Sequence, residues 1–290
     1  MESSHPGNRK EEMEKQDEVI EKSLARIKEK IIVLSGKGGV GKSTTAVNLA
    51  VSFAEKGFKV GLLDVDLHGP NVARMLGLNS EKATVFLEHI MPLHYSENLE
   101  IISMQSFLSE DDSAVIWRGP KKIGAIRQFI SDVLWGDLDY LIIDSPPGTG
   151  DEPLTVAQVI KGARAIVVTT PQEVSLADVR KSINFCRQVS MPIIGLIENM
   201  SGFRCPHCGK VTDIFKKDGA LSVAQKMQVP LLGKIPLDPE IVKAGDEGKP
   251  YLSQKEGAES VSAFREIVDQ IISFYATQKD SLPLQAERHH

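Results

Sequence analysis

The feature that most constrains this chain is Gly36-Lys37-Gly38-Gly39-Val40-Gly41-Lys42-Ser43-Thr44. It follows the apolar, β-branched run IIVLS at 31–35 and opens a stretch of helical character near 42–56. The spacing G-x-x-x-x-G-K-[ST] between a strand and a helix is that of a phosphate-binding loop. With few Cβ atoms in the way, the backbone amides of Gly36, Gly38, Gly39, Val40 and Gly41 can turn inward around phosphate oxygens. The helix that begins at Lys42-Ser43-Thr44 adds the partial positive charge of its N-terminus. Lys42 is placed to neutralise β- and γ-phosphates and the Ser43 hydroxyl to ligate Mg²⁺. At average residue frequencies a chance match in a chain this long is on the order of 1%.

Around the loop, short apolar runs alternate with helical stretches. The runs are IIVLS (31–35), KVGLLDV (59–65), LEIISM (99–104), DYLIID (139–144), AIVVTT (165–170), IIGLIEN (193–199) and PLLGKI (230–235). Most are continuously apolar, as strands buried on both faces are. Helices are expected near 42–56, 120–134, 152–161, 175–189, 217–227, 239–247 and 257–276. The pattern predicts an α/β fold, a doubly wound, mostly parallel sheet of about seven strands flanked by helices. One such domain is expected over 31–278. Residues 1–30 hold seven basic and eight acidic residues, a charged arm. Ile20, Leu24 and Ile27 recur in it at helical spacing, so a short amphipathic helix is predicted over about 12–29, laid on the domain surface. The polar tail 279–290 is expected to fray.

Carboxylates complete the loop. The second run ends Leu63-Asp64-Val65-Asp66, and residues two apart in a strand face the same side. Two carboxylates at close range call for a nearby cation. The fourth run ends in Asp144, followed by Ser145-Pro146-Pro147-Gly148-Thr149-Gly150-Asp151. An apolar run ending in Asp is the metal-holding partner of a phosphate loop, and the stretch 146–151 suits a γ-phosphate sensor. Asp66 is the expected water-activating residue, with Lys37 and Lys42 as the other catalytic groups. Asp64, Asp144 and Ser43 are the expected Mg²⁺ set. The signatures of a GTPase are missing, so the nucleotide is expected to be ATP. Its base is placed near Asn199 and Pro236-Leu237-Asp238.

Lys37 is a second lysine where a phosphate loop needs one. GKGGVGKST resembles the deviant Walker A of the ParA/MinD and nitrogenase iron protein superfamily. There the extra lysine reaches the nucleotide of the partner subunit, so the resemblance implies a nucleotide-dependent homodimer.

The chain has three cysteines, too few for a disulfide scaffold. Two form Cys205-Pro206-His207-Cys208. A thiol redox site would place such a pair at a helix N-terminus, but Gly209, Val211 and Thr212 suit a tight turn. A structural zinc site wants four ligands, and this chain offers two. In a homodimer, two chains supply four thiolates, which suit a [4Fe–4S] cluster or zinc. Cys186 reads as a buried apolar residue.

GKGGVGKST, LLDVDLHGPN, IIDSPPGTGD, ENMSGF and CPHCG, in that order, resemble the Mrp/Nbp-type (ApbC-type) iron–sulfur cluster carrier ATPases over about 31–275. The resemblance implies a dimeric ATPase that holds a labile [4Fe–4S] cluster and passes it to apo iron–sulfur proteins. The chain departs from the form with an N-terminal four-cysteine cluster, since residues 1–30 contain no cysteine. The alternatives are a positioning ATPase of ParA/MinD type and an ATPase dimer with structural zinc. A net charge of −5 offers no overall case for a nucleic acid partner. The acidic final helix and the lack of a long apolar run argue against a membrane partner. Neither a leader nor a span is visible, so a cytoplasmic location is expected.

Overall fold

The computed structural model describes residues 6–67, 69–87, 89–107, 119–215, 217–253 and 257–280. Helix α1 (Pro6–Leu24) leads into β1 (Ile27–Ser35), α2 (Lys42–Glu55), β2 (Val60–Asp64) and the short α3 (Val72–Met75). Four short strands follow: β3 (Thr84–Phe86), β4 (His89–Met91), β5 (Leu93–Ser96) and β6 (Leu99–Ser103). Strand–helix units then repeat through α4 (Gly119–Asp132), β7 (Leu138–Asp144), α5 (Asp151–Val159), β8 (Arg164–Thr169), α6 (Glu173–Gln188) and β9 (Ile193–Glu198). The strands β10 (Phe203–Arg204) and β11 (Val211–Thr212) precede α7 (Gly219–Met227), β12 (Leu231–Lys234), α8 (Pro239–Asp246) and α9 (Glu259–Asp280).

The main sheet has eight strands in the order β12-β9-β8-β1-β7-β2-β6-β5. All pairings are parallel except that of β5 with β6. The seven expected strands form its parallel part. The eighth, β5, is an antiparallel edge whose residues are at most half-buried, a position that tolerates water on one face.

Alternation along the central strands divides the core between two faces. Ile31, Val33, Leu62, Ile142 and Ile166 face one layer with α2 and α9. Ile32, Leu34, Leu63, Leu141 and Ile143 face the other, with α1, α4 and α5. Each such Leu, Ile or Val contributes roughly 1.5–3 kcal/mol when fully buried, which is why these runs are apolar without a break.

The N-terminal helix differs from expectation in extent. It runs from Pro6 to Leu24, and Ile27 already belongs to β1, paired with Leu138. Ile20, Leu24 and Ile27 are all buried, but the last as a strand residue. Three charges at the end of the expected arm have partners: Arg26 with Asp137 at 2.8 Å, Lys28 with Asp139 at 2.7 Å and Glu29 with Arg164 at 3.1 Å. Of the expected tail, α9 takes in the chain up to Asp280; positions 281–290 lie outside the described residues.

The parallel strands all deliver their C-terminal ends to one edge. That edge carries the loop after β1, Asp64 at the end of β2, Asp144 at the end of β7 and Glu198 at the end of β9. Ligands of open α/β sheets bind at such an edge.

Candidate functional site: a phosphate loop and a cysteine hairpin

The loop is held from behind by close contacts. A Cβ on Gly36 would lie 2.5 Å from the Asp178 backbone carbon on α6, so only glycine lets the two approach. Gly41 caps α2 in the left-handed conformation, φ 82°, and accepts no side-chain cap. The first amides of α2 thus lack a capping side chain, the condition for binding an anion. Val40 is buried beneath the loop.

Lys42 reaches down to the carboxyls. Its Nζ lies 2.5 Å from Asp144 Oδ1 and 3.3 Å from Ser43 Oγ. Asp64 and Asp144 are register partners on neighbouring strands, both fully buried. Burial, and then the charge of Asp144, pushes the Asp64 carboxyl up to about 7. Burial likewise raises Asp144, against the pull of Lys42. The two carboxyls differ in their partners. Asp64 accepts from the Asp66 amide at 3.1 Å, the Ser103 hydroxyl at 2.9 Å and the Val72 amide at 3.3 Å. Asp144 Oδ2 is buried with no hydrogen-bond partner among the described residues. An orphaned carboxylate oxygen beside a serine hydroxyl fits a hard, oxygen-seeking cation such as Mg²⁺. The Asp64 oxygens are already engaged, so Asp64 stands as a brace behind that pair.

A cavity of about 610 Å³ opens in front of the loop. It is lined by the expected Lys37, Gly38, Gly39, Gly41, Lys42, Ser43, Thr44 and Asp66, together with Pro147. Asp66 accepts from the Gly69 amide at 3.3 Å. The opposite wall was not foreseen from sequence: Asn71, the N-cap of α3, Arg74 and Met75 within that helix, and Ile241, Val242 and Asp246 from α8. In the sequence α8 reads only as another amphipathic helix. It is set in place by its N-cap, where Asp238 accepts from the Glu240 amide with Pro239 at the first position.

The residues expected at the base lie outside that lining. Asn199 Nδ2 donates to the Val40 carbonyl at 2.9 Å, behind the loop, and Asn199 does not line the cavity. Pro236 lines a second cavity of about 450 Å³ beside Phe203, Cys205, Pro206 and Leu237.

The cysteine pair sits in the turn of a small hairpin. Phe203 pairs with Thr212 and Arg204 with Val211. The Cys205 amide donates to the Lys210 carbonyl at 3.0 Å and the Gly209 amide to the Cys205 carbonyl at 2.9 Å. No helix follows Cys208, so the geometry of a thioredoxin-like site is absent here. The amides of Cys208 and His207 point at the Cys205 sulfur and hold its thiol below the usual range. Cys208 is exposed and Cys205 half-buried, while Cys186 is buried and its thiol pushed up to about 12. A lowered thiol at Cys205 and the access of both Cys205 and Cys208 suit metal or cluster ligation, whereas buried Cys186 is suited to packing. Arg204 ties the hairpin to α9 through Glu259 at 2.8 Å. Among the described residues no group of three or more His, Cys, Asp or Glu could hold a metal ion within one chain, and no helix is long and apolar enough to cross a membrane.

Known proteins resemble this chain in sequence and fold. The chain is 48% identical over 266 residues to the iron-sulfur cluster carrier protein of Methanocaldococcus jannaschii, covering 91% of each chain. It is 46% identical over 262 residues to the cytosolic Fe-S cluster assembly factor NUBP2 homolog of Trichoplax adhaerens, covering 89% of this chain and 99% of that one. Among solved structures it resembles the nucleotide-binding protein of Archaeoglobus fulgidus in complex with ADP, with TM-score 0.71 and 40% identity over 80% of this chain and 91% of the other. The cell division ATPase MinD of Pyrococcus furiosus is similar at TM-score 0.63 and 25% identity, over 84% and 98%. The model of the ParA-type family described as NUBPL iron-transfer P-loop NTPase matches residues 26–272, and the chain belongs to that nucleotide-binding family.

Proposed function

We propose that this chain is an ATP-dependent iron–sulfur cluster carrier that works as a homodimer in the cytoplasm and delivers its cargo to apo iron–sulfur proteins. The observation that carries the reading is the accessible Cys205–Cys208 turn, whose own backbone amides favour the Cys205 thiolate. One chain supplies two thiolates. A [4Fe–4S] cargo takes four, so a second copy across a two-fold axis completes the set. The relatives named as iron-sulfur cluster carriers point the same way. Val211 in the hairpin and Ile214 just after it are exposed, apolar side chains that a second copy could cover.

At the nucleotide, Lys42 would neutralise the β- and γ-phosphates, and Ser43 with Asp144 would hold Mg²⁺. The bound ion supplies charge stabilisation at the phosphoryl oxygens. Asp66, on the cavity wall, would orient the attacking water, and Lys37 on the same rim would reach the nucleotide of the other copy.

The test is anaerobic reconstitution with iron and sulfide. Wild-type protein should gain the broad visible absorption of a cluster and activate an apo-[4Fe–4S] enzyme. The double variant Cys205→Ala/Cys208→Ala should do neither. Wild-type protein that takes up only zinc would replace this reading with that of a structural zinc dimer.

A further inference from the structure

Glu198 is a fully buried carboxyl that neither chemistry uses. Its Oε1 accepts from the Ser201 hydroxyl at 2.7 Å, and its Oε2 from the Ala220 amide of α7 at 2.7 Å. The next residue, Asn199, grips the phosphate loop through the Val40 carbonyl at 2.9 Å. That grip is tight: a Cβ on Gly41 would lie 2.1 Å from Asn199 Nδ2 and 3.9 Å from Met200 Cε. Met200 then turns the chain in the left-handed region, φ 56°. Beyond it the Ser201 amide donates to the Ile235 carbonyl at 2.9 Å, and the Leu237 amide to the Gly202 carbonyl at 2.8 Å. Phe203 opens the first strand of the hairpin, which runs directly into Cys205.

The chain between loop and hairpin is therefore short, and Asn199, Ser201 and Gly202 in it are each hydrogen-bonded to residues outside it. Consecutive residues hold the two sites: Asn199 the loop, Glu198 the base of the hairpin through Ser201. Buried partners left unmade are costly, so a displacement at Val40 is passed on through this turn in preference to breaking it.

We propose that Glu198 and Ser201 are positioning residues which, with Asn199, link the phosphate loop to the cysteine hairpin, so that nucleotide at the loop changes the accessibility of Cys205 and Cys208. The biological use of the link rests on the carrier reading, but its test does not.

The experiment measures maleimide alkylation of Cys205 and Cys208 in anaerobic, cluster-free protein, peptide by peptide, with and without ATP and Mg²⁺. Buried Cys186 serves as the silent control. Wild type is expected to change its labelling rate by about fivefold or more with nucleotide, the low end of ordinary coupling between sites. Ser201→Ala and Glu198→Gln should bind nucleotide as wild type does, yet label at one rate with and without it. Ser201→Thr, which keeps the hydroxyl, should restore the dependence. If Glu198→Gln fails to fold, the Ser201→Ala and Ser201→Thr pair decides alone. A nucleotide-dependent rate in Ser201→Ala equal to wild type would overturn the link, as would a wild type indifferent to nucleotide. A wild type that responds here but takes up no cluster on reconstitution would sink the carrier reading and leave the link standing.

Discussion

The phosphate loop and the cysteine hairpin stand on the same edge of the sheet, and each turns on a left-handed glycine, Gly41 and Gly209. The first is locked. Its glycines abut Asp178 and Asn199, and its lysine is anchored on a buried carboxyl. The second is loosely supported. Its strands have two residues each, nothing lies within 4 Å of a Cβ on Gly209, and its tie to α9 is an exposed ion pair. The contrast fits the two tasks. A loop that wraps phosphates gains from being preformed. On the proposed carrier reading, a hairpin that takes up and gives away a cargo between two copies would gain from being incomplete alone.

That contrast can be broken, first at Lys42. Lys42→Ala removes the partner of buried Asp144, and losing one member of a buried pair costs about 3–5 kcal/mol. Urea unfolding at pH 8 should show it, with a smaller loss near pH 5 as the buried carboxyls take up protons. An unchanged midpoint at pH 8 would mean the pair is not holding the loop.

Next come the two glycines. Gly41→Ala should cost about 1–2 kcal/mol for its backbone conformation alone, add the collision with Asn199, and abolish nucleotide binding in a calorimetric titration. Gly209→Ala meets the same backbone strain but no neighbour. Its effect should stay within the hairpin, weakening cluster retention while the global unfolding midpoint stays near that of wild type. Equal global losses in the two variants would erase the contrast.

Asp64 gives a pH signature confined to the locked site. Its carboxyl titrates at about 7 when folded, against an ordinary 3.8. Between those values the folded chain holds a proton that the unfolded chain releases, so this contribution to stability falls as pH rises. Asp64→Asn should flatten the slope of thermal midpoint against pH in nucleotide-free protein. An identical slope would remove Asp64 as its source. The smallest effect belongs to Arg204→Ala. Its ion pair is exposed, so no measurable change in the thermal midpoint is expected, only faster alkylation of Cys205.

Much of this was legible in the sequence, for a physical reason. Strands buried on both faces must be apolar without interruption, so β1, β2, β6, β7, β8, β9 and β12 stand out. The loop stands out because its chemistry fixes residue types at fixed spacing. The rest depends on partners far along the chain. β5 is an edge with half-wet residues and carries no apolar run. The spacing of Ile27 predicts a helix past Leu24, whereas Ile27 is a buried strand residue in register with Leu138 of β7. Asn199 was recognised as a site residue, but its amide is spent on Val40, across 159 positions of sequence. Nothing local marks the α8 wall of the cavity, or Glu198 as a buried acceptor for Ser201 and Ala220.

The proposed function makes the hairpin half of a site. Native mass spectrometry of anaerobically reconstituted protein tests it most directly. The expected result is one [4Fe–4S] cluster for every two chains, with the dimer's cluster lost in Cys205→Ala/Cys208→Ala. A cluster held by a single chain, or a wild-type dimer that holds zinc alone, would contradict it.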